Sequence, residues 1–298
     1  MIAGKRNLVV SGCSFTKGHN LHEKGSFATY LGEMTDTKVH NVAKGGHGNE
    51  MINFTITSYI ENLLTEDVND IFVIIGWSEC FRNTVYFDAP NPTESNWSSI
   101  TAQSLNPEFQ YGFEDKSAEH LWLAKNSSAL FPFFCNYEAS LMKTYQNMFL
   151  LKNYLEHKNI PYLFFDAIND HRFYEEDGKY YLKASSLDLS PFELNINPID
   201  NTKNKSLHQI FLITEKFRDL IYDKTFYTEQ GLSMNSWLEK MDRLHADEFP
   251  LRDGRHSGKY SWDNDGHPGA YGSMEWAKLL LEYINKIYPK TFVKSDLI

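Results

Sequence analysis

Leu8-Val9-Val10-Ser11-Gly12-Cys13-Ser14-Phe15-Thr16-Lys17-Gly18 is an apolar run that stops abruptly at small residues. Continuous apolar character bounded by a glycine is the pattern of a short strand buried on both faces, as in a parallel sheet. A parallel strand in an open α/β sheet delivers the residues after it to the C-terminal edge, where such sheets bind ligands. Ser14 is the residue so delivered, and it has two readings. Hydroxyl residues after a strand commonly cap the next helix, so Ser14 or Thr16 can serve as an N-cap; alternatively Ser14 is a nucleophile.

A partner for the second reading lies at the far end of the chain. Asp263-Asn264-Asp265-Gly266-His267-Pro268-Gly269 places carboxylates and an imidazole ahead of a long amphipathic segment, Ala270 to Tyr288. A hydroxyl nucleophile at neutral pH needs a base within hydrogen-bond reach. The base in turn needs an acceptor on its other ring nitrogen, which sets its tautomer and stabilises its cation.

The 298 residues are 42% hydrophobic, enough for a substantial core, and the expectation is one α/β domain, 1–298, with large insertions. A formal charge of -10 with no run of Lys and Arg argues against nucleic acid or an anionic membrane as the main partner. Cys13, Cys80 and Cys135 are too few and too scattered for a disulfide framework or a zinc ribbon, which suits a reducing compartment. Cys13 has no histidine or second cysteine beside it and reads as a small buried filler of the turn. Met1 to Asn7 is basic but leads into only a short strand, so it does not read as a signal peptide, and no apolar run approaches a membrane span. A cytoplasmic location is the expectation.

Between the two ends the pattern alternates strand and helix. Ser26 caps a helix running to Gly32, with Phe27, Tyr30 and Leu31 on one face, and Lys38 to Ala43 is a second strand. It is followed by Lys44-Gly45-Gly46-His47-Gly48-Asn49-Glu50, whose glycines leave backbone N–H groups free to point at a ligand at the start of a helix reaching Leu64. The spacing matches neither a P-loop nor a dinucleotide fingerprint, so no nucleotide cofactor is expected. Asp70 to Gly76 is the strongest strand signal and ends in Trp77-Ser78-Glu79-Cys80-Phe81-Arg82, which brings Ser78, Glu79 and Arg82 to the edge that carries Ser14. A Glu79–Arg82 ion pair at helical spacing is the alternative reading of those two charges. Glu138 to His157 is a helix, and Pro161 to Asp166 a fourth strand with Asp166, Asn169, Asp170 and His171 at its end. Adjacent residues such as Asp170 and His171 do not easily face one ion, so no metal is expected.

Two stretches break this rhythm. Residues 83–136 gather aromatic side chains among Pro, Asn and Ser; they are too long for a connecting loop and too apolar for disorder, so they read as an insertion over or beside the site. Their rings either glue the insertion down or stack on sugar or acyl groups. Residues 172–260 hold expected helices at 207–221 and 234–244 and read as a cap or a partner surface.

Taken together, the blocks resemble the SGNH (GDSL-like) hydrolase superfamily over residues 7–82, 137–170 and 260–288, outside the insertions. Gly12-Cys13-Ser14 resembles the first block, with Cys13 where an aspartate often precedes the nucleophile. Asn41-Val42-Ala43 with Gly46 resembles the second, and Asp265-Gly266-His267-Pro268 the last. The third block departs: where the family has Gly-x-Asn-Asp, this chain has Gly76-Trp77-Ser78-Glu79. An asparagine that donates to the oxyanion is thereby replaced by Ser78, and loss of such a donor typically costs about 10²- to 10³-fold in rate.

The resemblance implies a three-layer α/β/α sandwich with a parallel, flavodoxin-like sheet. It implies Ser14 as nucleophile, His267 as base and Asp265 as its orienter, with Asn264 or Asp263 as alternatives for that last role. Gly46 would donate to the oxyanion, and Ser78 or Asn49 would stand in for the missing asparagine. The implied activity is a serine esterase acting on an O-acyl, in particular O-acetyl, ester of a carbohydrate or small substrate, with no metal or organic cofactor. Acyl transfer to a sugar hydroxyl would use the same acyl-serine. The form Ser-Gly-Cys-Ser-Phe-Thr with Gly-Trp-Ser-Glu also resembles uncharacterised SGNH-like proteins of bacteriophages. A competing expectation, supported by Ser78 in the third block, is a carbohydrate-binding or virion-associated module that kept the fold with weak chemistry. The distance between Ser14 Oγ and His267 separates the two.

Overall fold

The computed structural model describes residues 6–18, 21, 25–66, 70–86, 97–100, 137–168, 173–176, 179–182, 212–227, 233–245, 260–261, 267–289 and 291–292. Strand β1 (Asn7–Gly12) runs into a single helical turn, α1 (Ser14–Lys17), followed by α2 (Phe27–Thr35), β2 (Lys38–Asn41), α3 (Asn49–Thr65) and β3 (Ile71–Trp77). A hairpin of β4 (Asn83–Tyr86) and β5 (Trp97–Ile100) precedes α4 (Tyr137–His157) and β6 (Tyr162–Asp166). A second hairpin, β7 (Phe173–Glu176) with β8 (Lys179–Leu182), leads to α5 (Arg218–Ile221), α6 (Met234–Leu244) and α7 (Ala270–Ile287).

The main sheet has the order β2-β1-β3-β6, and its pairs are parallel. A short fifth segment extends it: Phe164 N–H donates to the Thr225 carbonyl at 2.8 Å, Tyr227 N–H donates to the Phe164 carbonyl at 2.7 Å, and Phe226 pairs parallel with Phe164. In chain order of its strands the sheet therefore reads 2-1-3-4-5, the flavodoxin-like doubly wound order.

Side-chain alternation along the strands builds two cores, one on each face. Leu8, Val10, Phe72, Ile74, Leu163 and Phe165 pack with Phe27 and Leu31 of α2, Trp237 and Leu238 of α6, and Trp276, Ala277 and Leu280 of α7. Val9, Val73, Ile75 and Phe164 pack on the other side with Ile52, Ile56 and Ile60 of α3 and Leu141, Tyr145 and Met148 of α4. The helices thus cover both faces, which makes the three-layer α/β/α sandwich. Ser26 caps α2 by accepting from Thr29 N–H. That helix continues past Gly32 to Thr35, because the absent side chain at Gly32 leaves the space that Val39 Cγ2 occupies.

The stretch 172–260, expected as an insertion, in part belongs to the scaffold. Residues 225–227 join the sheet, and Tyr227, Met234, Trp237 and Leu238 are buried in the core that holds Trp276. The expected helix over 207–221 falls outside the described residues before 212; beyond that, 212–216 is helical and α5 follows a one-residue break. The end of the first expected insertion, residues 101–136, also lies outside the described residues.

One close approach fixes the edge of the sheet. Gly12 and Gly76 are register partners in β1 and β3, and Thr16, fully buried, lies over both. A Cβ at either glycine would overlap Thr16 Oγ1; at Gly12 it would also come within 2.7 Å of the Gly76 carbonyl oxygen, and at Gly76 within 2.8 Å of the Phe165 ring. We therefore expect Gly76→Ala to cost about 1–3 kcal/mol by overpacking. Thr16→Ala added to it should restore part of the loss, since the overlapped oxygen is gone. The same change should restore less in Gly12→Ala, where the obstacle is backbone; urea denaturation of the single and double variants reads the difference.

Candidate active site

Cys13, in extended backbone, is the N-cap of α1, with no side-chain cap bond, so neither Ser14 nor Thr16 caps this helix. Ser14 is the first residue of the turn, held by hydrogen bonds from Lys17 N–H to the Cys13 carbonyl at 2.9 Å and from Gly18 N–H to the Ser14 carbonyl at 3.1 Å. Its side chain takes no part in these bonds, and the residue is only 7% exposed.

His267 lies 2.7 Å from it, Nε2 to Ser14 Oγ, across 253 positions of sequence. Phe15, the neighbour of Ser14, packs on the imidazole at 4.9 Å between ring centroids. The ring enters from the residue before Pro268, where the chain turns into α7 with Gly269 as N-cap. His267 Nδ1 is buried from solvent. Asp263, Asn264 and Asp265, the expected orienters, lie outside the described residues.

The glycine loop borders the serine on another side. Val42 N–H donates to the Val10 carbonyl at 2.8 Å and Lys44 N–H to the Gly12 carbonyl at 3.2 Å, so the loop continues the β1 pairing beyond β2. Asn41 braces it, its Nδ2 donating to the Thr16 carbonyl and its Oδ1 accepting from Ala43 N–H. A Cβ on Gly45 would lie 4.0 Å from Ser14 Cβ, which places this loop against Ser14. Gly46 follows with φ 79, in the left-handed region, and with open space on its side-chain face. Only glycine adopts that backbone without strain.

Ser78 and Asn49 meet at the start of α3. Ser78 N–H donates to Asn49 Oδ1 at 2.9 Å, while Asn49 Nδ2 donates to the Ser78 carbonyl at 3.2 Å and to Thr144 Oγ1 at 3.0 Å. Both residues are buried. The Asn49 amide is thus fully committed to the backbone of Ser78 and to Thr144, and it has no hydrogen left to offer an oxyanion. Its place here is to hold Ser78, which corrects its expected role as a donor. Ser78 Oγ, in contrast, is buried without a hydrogen-bond partner. Sequence reasoning named both residues but missed Thr144, whose hydroxyl ties the pair to α4.

Glu79 and Arg82 form the expected ion pair, Nε to Oε1 at 2.8 Å, with side chains 16% and 18% exposed for Arg82 and Glu79. Burial pulls the Arg82 pKa down, but the neighbouring Cys13 and Glu79 outweigh it and raise it overall. His47 is held down to about 4, first by burial and then by the nearby Lys44 charge, so its imidazole is neutral. Its Nδ1 is buried without a partner. Of the expected edge residues after β6, Asp166 is buried at the strand's end, and Asn169, Asp170 and His171 lie outside the described residues. Among the described residues there is no group of three or more His, Cys, Asp or Glu able to hold a metal ion, and no helix is long and apolar enough to cross a membrane.

Two stability measurements test this arrangement. Asn49→Ala leaves the Ser78 N–H and carbonyl buried and unpaired, at about 1–3 kcal/mol for each such group, so urea denaturation should show a loss of at least about 2 kcal/mol. The unfolded chain takes up a proton at His47 near pH 6.5, whereas the folded chain does so only near 4. The unfolded state therefore binds more protons between those values, and stability is full above pH 6.5, falls as the pH drops toward 4 and levels off below. His47→Gln should flatten that dependence when unfolding is compared at pH 7 and pH 5.

No family model matches the sequence, and no curated protein matches it. Among solved structures, the chain is similar to a lipolytic protein of the G-D-S-L family from Desulfitobacterium hafniense, at 10% identity and a TM-score of 0.43, covering 94% of this chain and 99% of that one. It is similar to an acetyl xylan esterase at 12% identity and a TM-score of 0.41, covering 93% of this chain and 99% of that one. It is also similar to a psychrotrophic esterase from Pseudoalteromonas sp., at 9% identity and a TM-score of 0.42, covering 95% and 98% of the two chains.

Proposed function

We propose that the chain is a serine esterase of the SGNH type that hydrolyses an O-acyl ester, in particular an O-acetyl ester, of a carbohydrate or other small substrate through an acyl-serine. The observation that carries this reading is the 2.7 Å hydrogen bond between Ser14 Oγ and His267 Nε2. It joins a hydroxyl that caps nothing to an imidazole delivered from the opposite end of the chain.

In this reading His267 Nε2 accepts the Ser14 proton as Oγ attacks the carbonyl carbon of the ester, forming a tetrahedral oxyanion. The N–H groups of Ser14 and Gly46 donate to that oxyanion, and Ser78 Oγ–H supplies the third bond. Collapse breaks the bond to the alcohol oxygen, which takes the proton from His267. Water then attacks the acyl-serine with the same base, releasing the acid and restoring Ser14. Asp265 would accept from His267 Nδ1–H and hold the tautomer in which Nε2 is the acceptor. The buried, unpartnered Ser78 hydroxyl supports its assignment, since a buried donor without an acceptor costs free energy that an oxyanion would relieve. Asn49 acts through Ser78, fixing the backbone that aims it.

The test is hydrolysis of a chromogenic acetyl ester, with mass spectrometry after a fluorophosphonate probe. Ser14→Ala should abolish turnover and labelling together. Ser78→Ala should keep labelling but lower kcat by about 10²- to 10³-fold, the range for loss of one oxyanion donor. Folded wild-type protein that neither turns over nor labels would sink the esterase reading in favour of a binding role. Transfer rather than hydrolysis would show as an acetylated sugar product when a carbohydrate acceptor is added.

A further inference from the structure

Asp242 lies on α6, far in sequence from either end of the site, and is 1% exposed. Both oxygens of its carboxylate accept from consecutive backbone N–H groups: Oδ1 from Tyr260 at 2.8 Å and Oδ2 from Ser261 at 3.1 Å. The other edge of that two-residue segment pairs with the residues just after His267. Ser261 bridges Pro268 in antiparallel fashion, and Gly269 N–H donates to the Tyr260 carbonyl at 2.7 Å. Space at this junction is exhausted, because a Cβ on Gly272 would overlap the Tyr260 carbonyl oxygen. The Tyr260 ring is held between Trp237 of α6, at 5.8 Å, and Tyr271 of α7, at 5.0 Å between centroids.

We propose that Asp242 is a positioning residue for the base of this site. The inference rests on the reading of Ser14 and His267 as nucleophile and base. The carboxylate fixes 260–261, that segment fixes 268–269, and together they set the direction in which His267 leaves the backbone and hence where Nε2 meets Ser14 Oγ. The chemistry requires an aspartate. Two adjacent N–H donors need two acceptors of fixed geometry carrying no hydrogen, and of the short side chains only an ionised aspartate offers them. Asparagine keeps one acceptor but turns its NH₂ against the other N–H. Stretch 172–260 thereby contributes to the reacting geometry itself and not only to a covering layer.

The test compares Asp242→Asn and Asp242→Ser with Thr35→Val, a control variant that loses a buried hydrogen bond from Thr35 Oγ1 to the Leu31 carbonyl at 2.7 Å, away from the site. In Asp242→Asn we expect kcat to fall by about 10- to 100-fold with KM little changed, as for a reacting group displaced by a fraction of an ångström to an ångström. Fluorophosphonate labelling of the folded protein should slow in parallel, and the His267 imidazole resonances should shift in the NMR spectrum. Thr35→Val should lose stability without any of these changes. Folded Asp242→Asn with wild-type kcat and unshifted His267 resonances would overturn the inference. So would failure of both Asp242 variants to fold, which would make the residue part of the core and not of the base's support. If wild-type protein shows no turnover and no Ser14 labelling, the esterase reading fails, while the His267 resonances still report whether Asp242 places the ring.

Discussion

The parallel pairing of β1 with β3, register-locked to Gly12 opposite Gly76, is the constraint on which the site depends. β1 stops at Gly12 and β3 one residue past Gly76, at Trp77, and Thr16 fills the space that the two missing side chains leave. Because the two strands end within one residue of each other, Ser14 and Ser78, two positions beyond each glycine, emerge at one edge of the sheet. A side chain at either glycine would push α1 away from the sheet and carry Ser14 with it. The position of Ser14 is thus set by close backbone packing before any polar contact is made.

Polar contacts then adjust what packing has placed. Asn41 ties the glycine loop to α1, and Asn49 holds both backbone groups of Ser78 from the start of α3. Each asparagine satisfies backbone groups beyond the strand ends, part-buried at Asn41 and fully buried at Asn49. The same economy leaves Ser78 Oγ and His47 Nδ1 buried and unmatched. Native structures hold few such atoms, and those that persist need a reason.

The scaffold was legible in the sequence where burial on both faces made the pattern continuous. Val9 and Val73 face one core while Val10 and Ile74 face the other, so β1 and β3 show as unbroken apolar runs. The amphipathic α6 and α7 were legible by their helical period. Residues 225–227 were not, because a three-residue edge segment carries too little pattern to stand out from a loop. In the site, Ser14 and His267 could be named from their neighbours, but the role of Asn49 could not. Its type and place fit a donor to an oxyanion, and only the positions of Ser78 and Thr144 show that its hydrogens are spent. Asp242 had no local signature at all: its partners are backbone N–H groups, which every residue but proline has.

The electrostatics of the edge follow from these same residues. His47 is neutral, Asn49 and Ser78 carry no charge, and the Arg82 guanidinium is offset by Glu79 at 2.8 Å. Lys44, whose charge acts on His47, is exposed, so the buried groups named here act mainly as oriented dipoles. Fixed dipoles in a buried place stabilise a charge that develops during reaction without having to reorganise, which is the larger part of what an oxyanion site does. A full positive charge there would also bind stray anions in the resting state. In the proposed reading such dipoles would favour the short-lived oxyanion over a standing ligand, and Asn41 and Asn49 brace the segments that carry them.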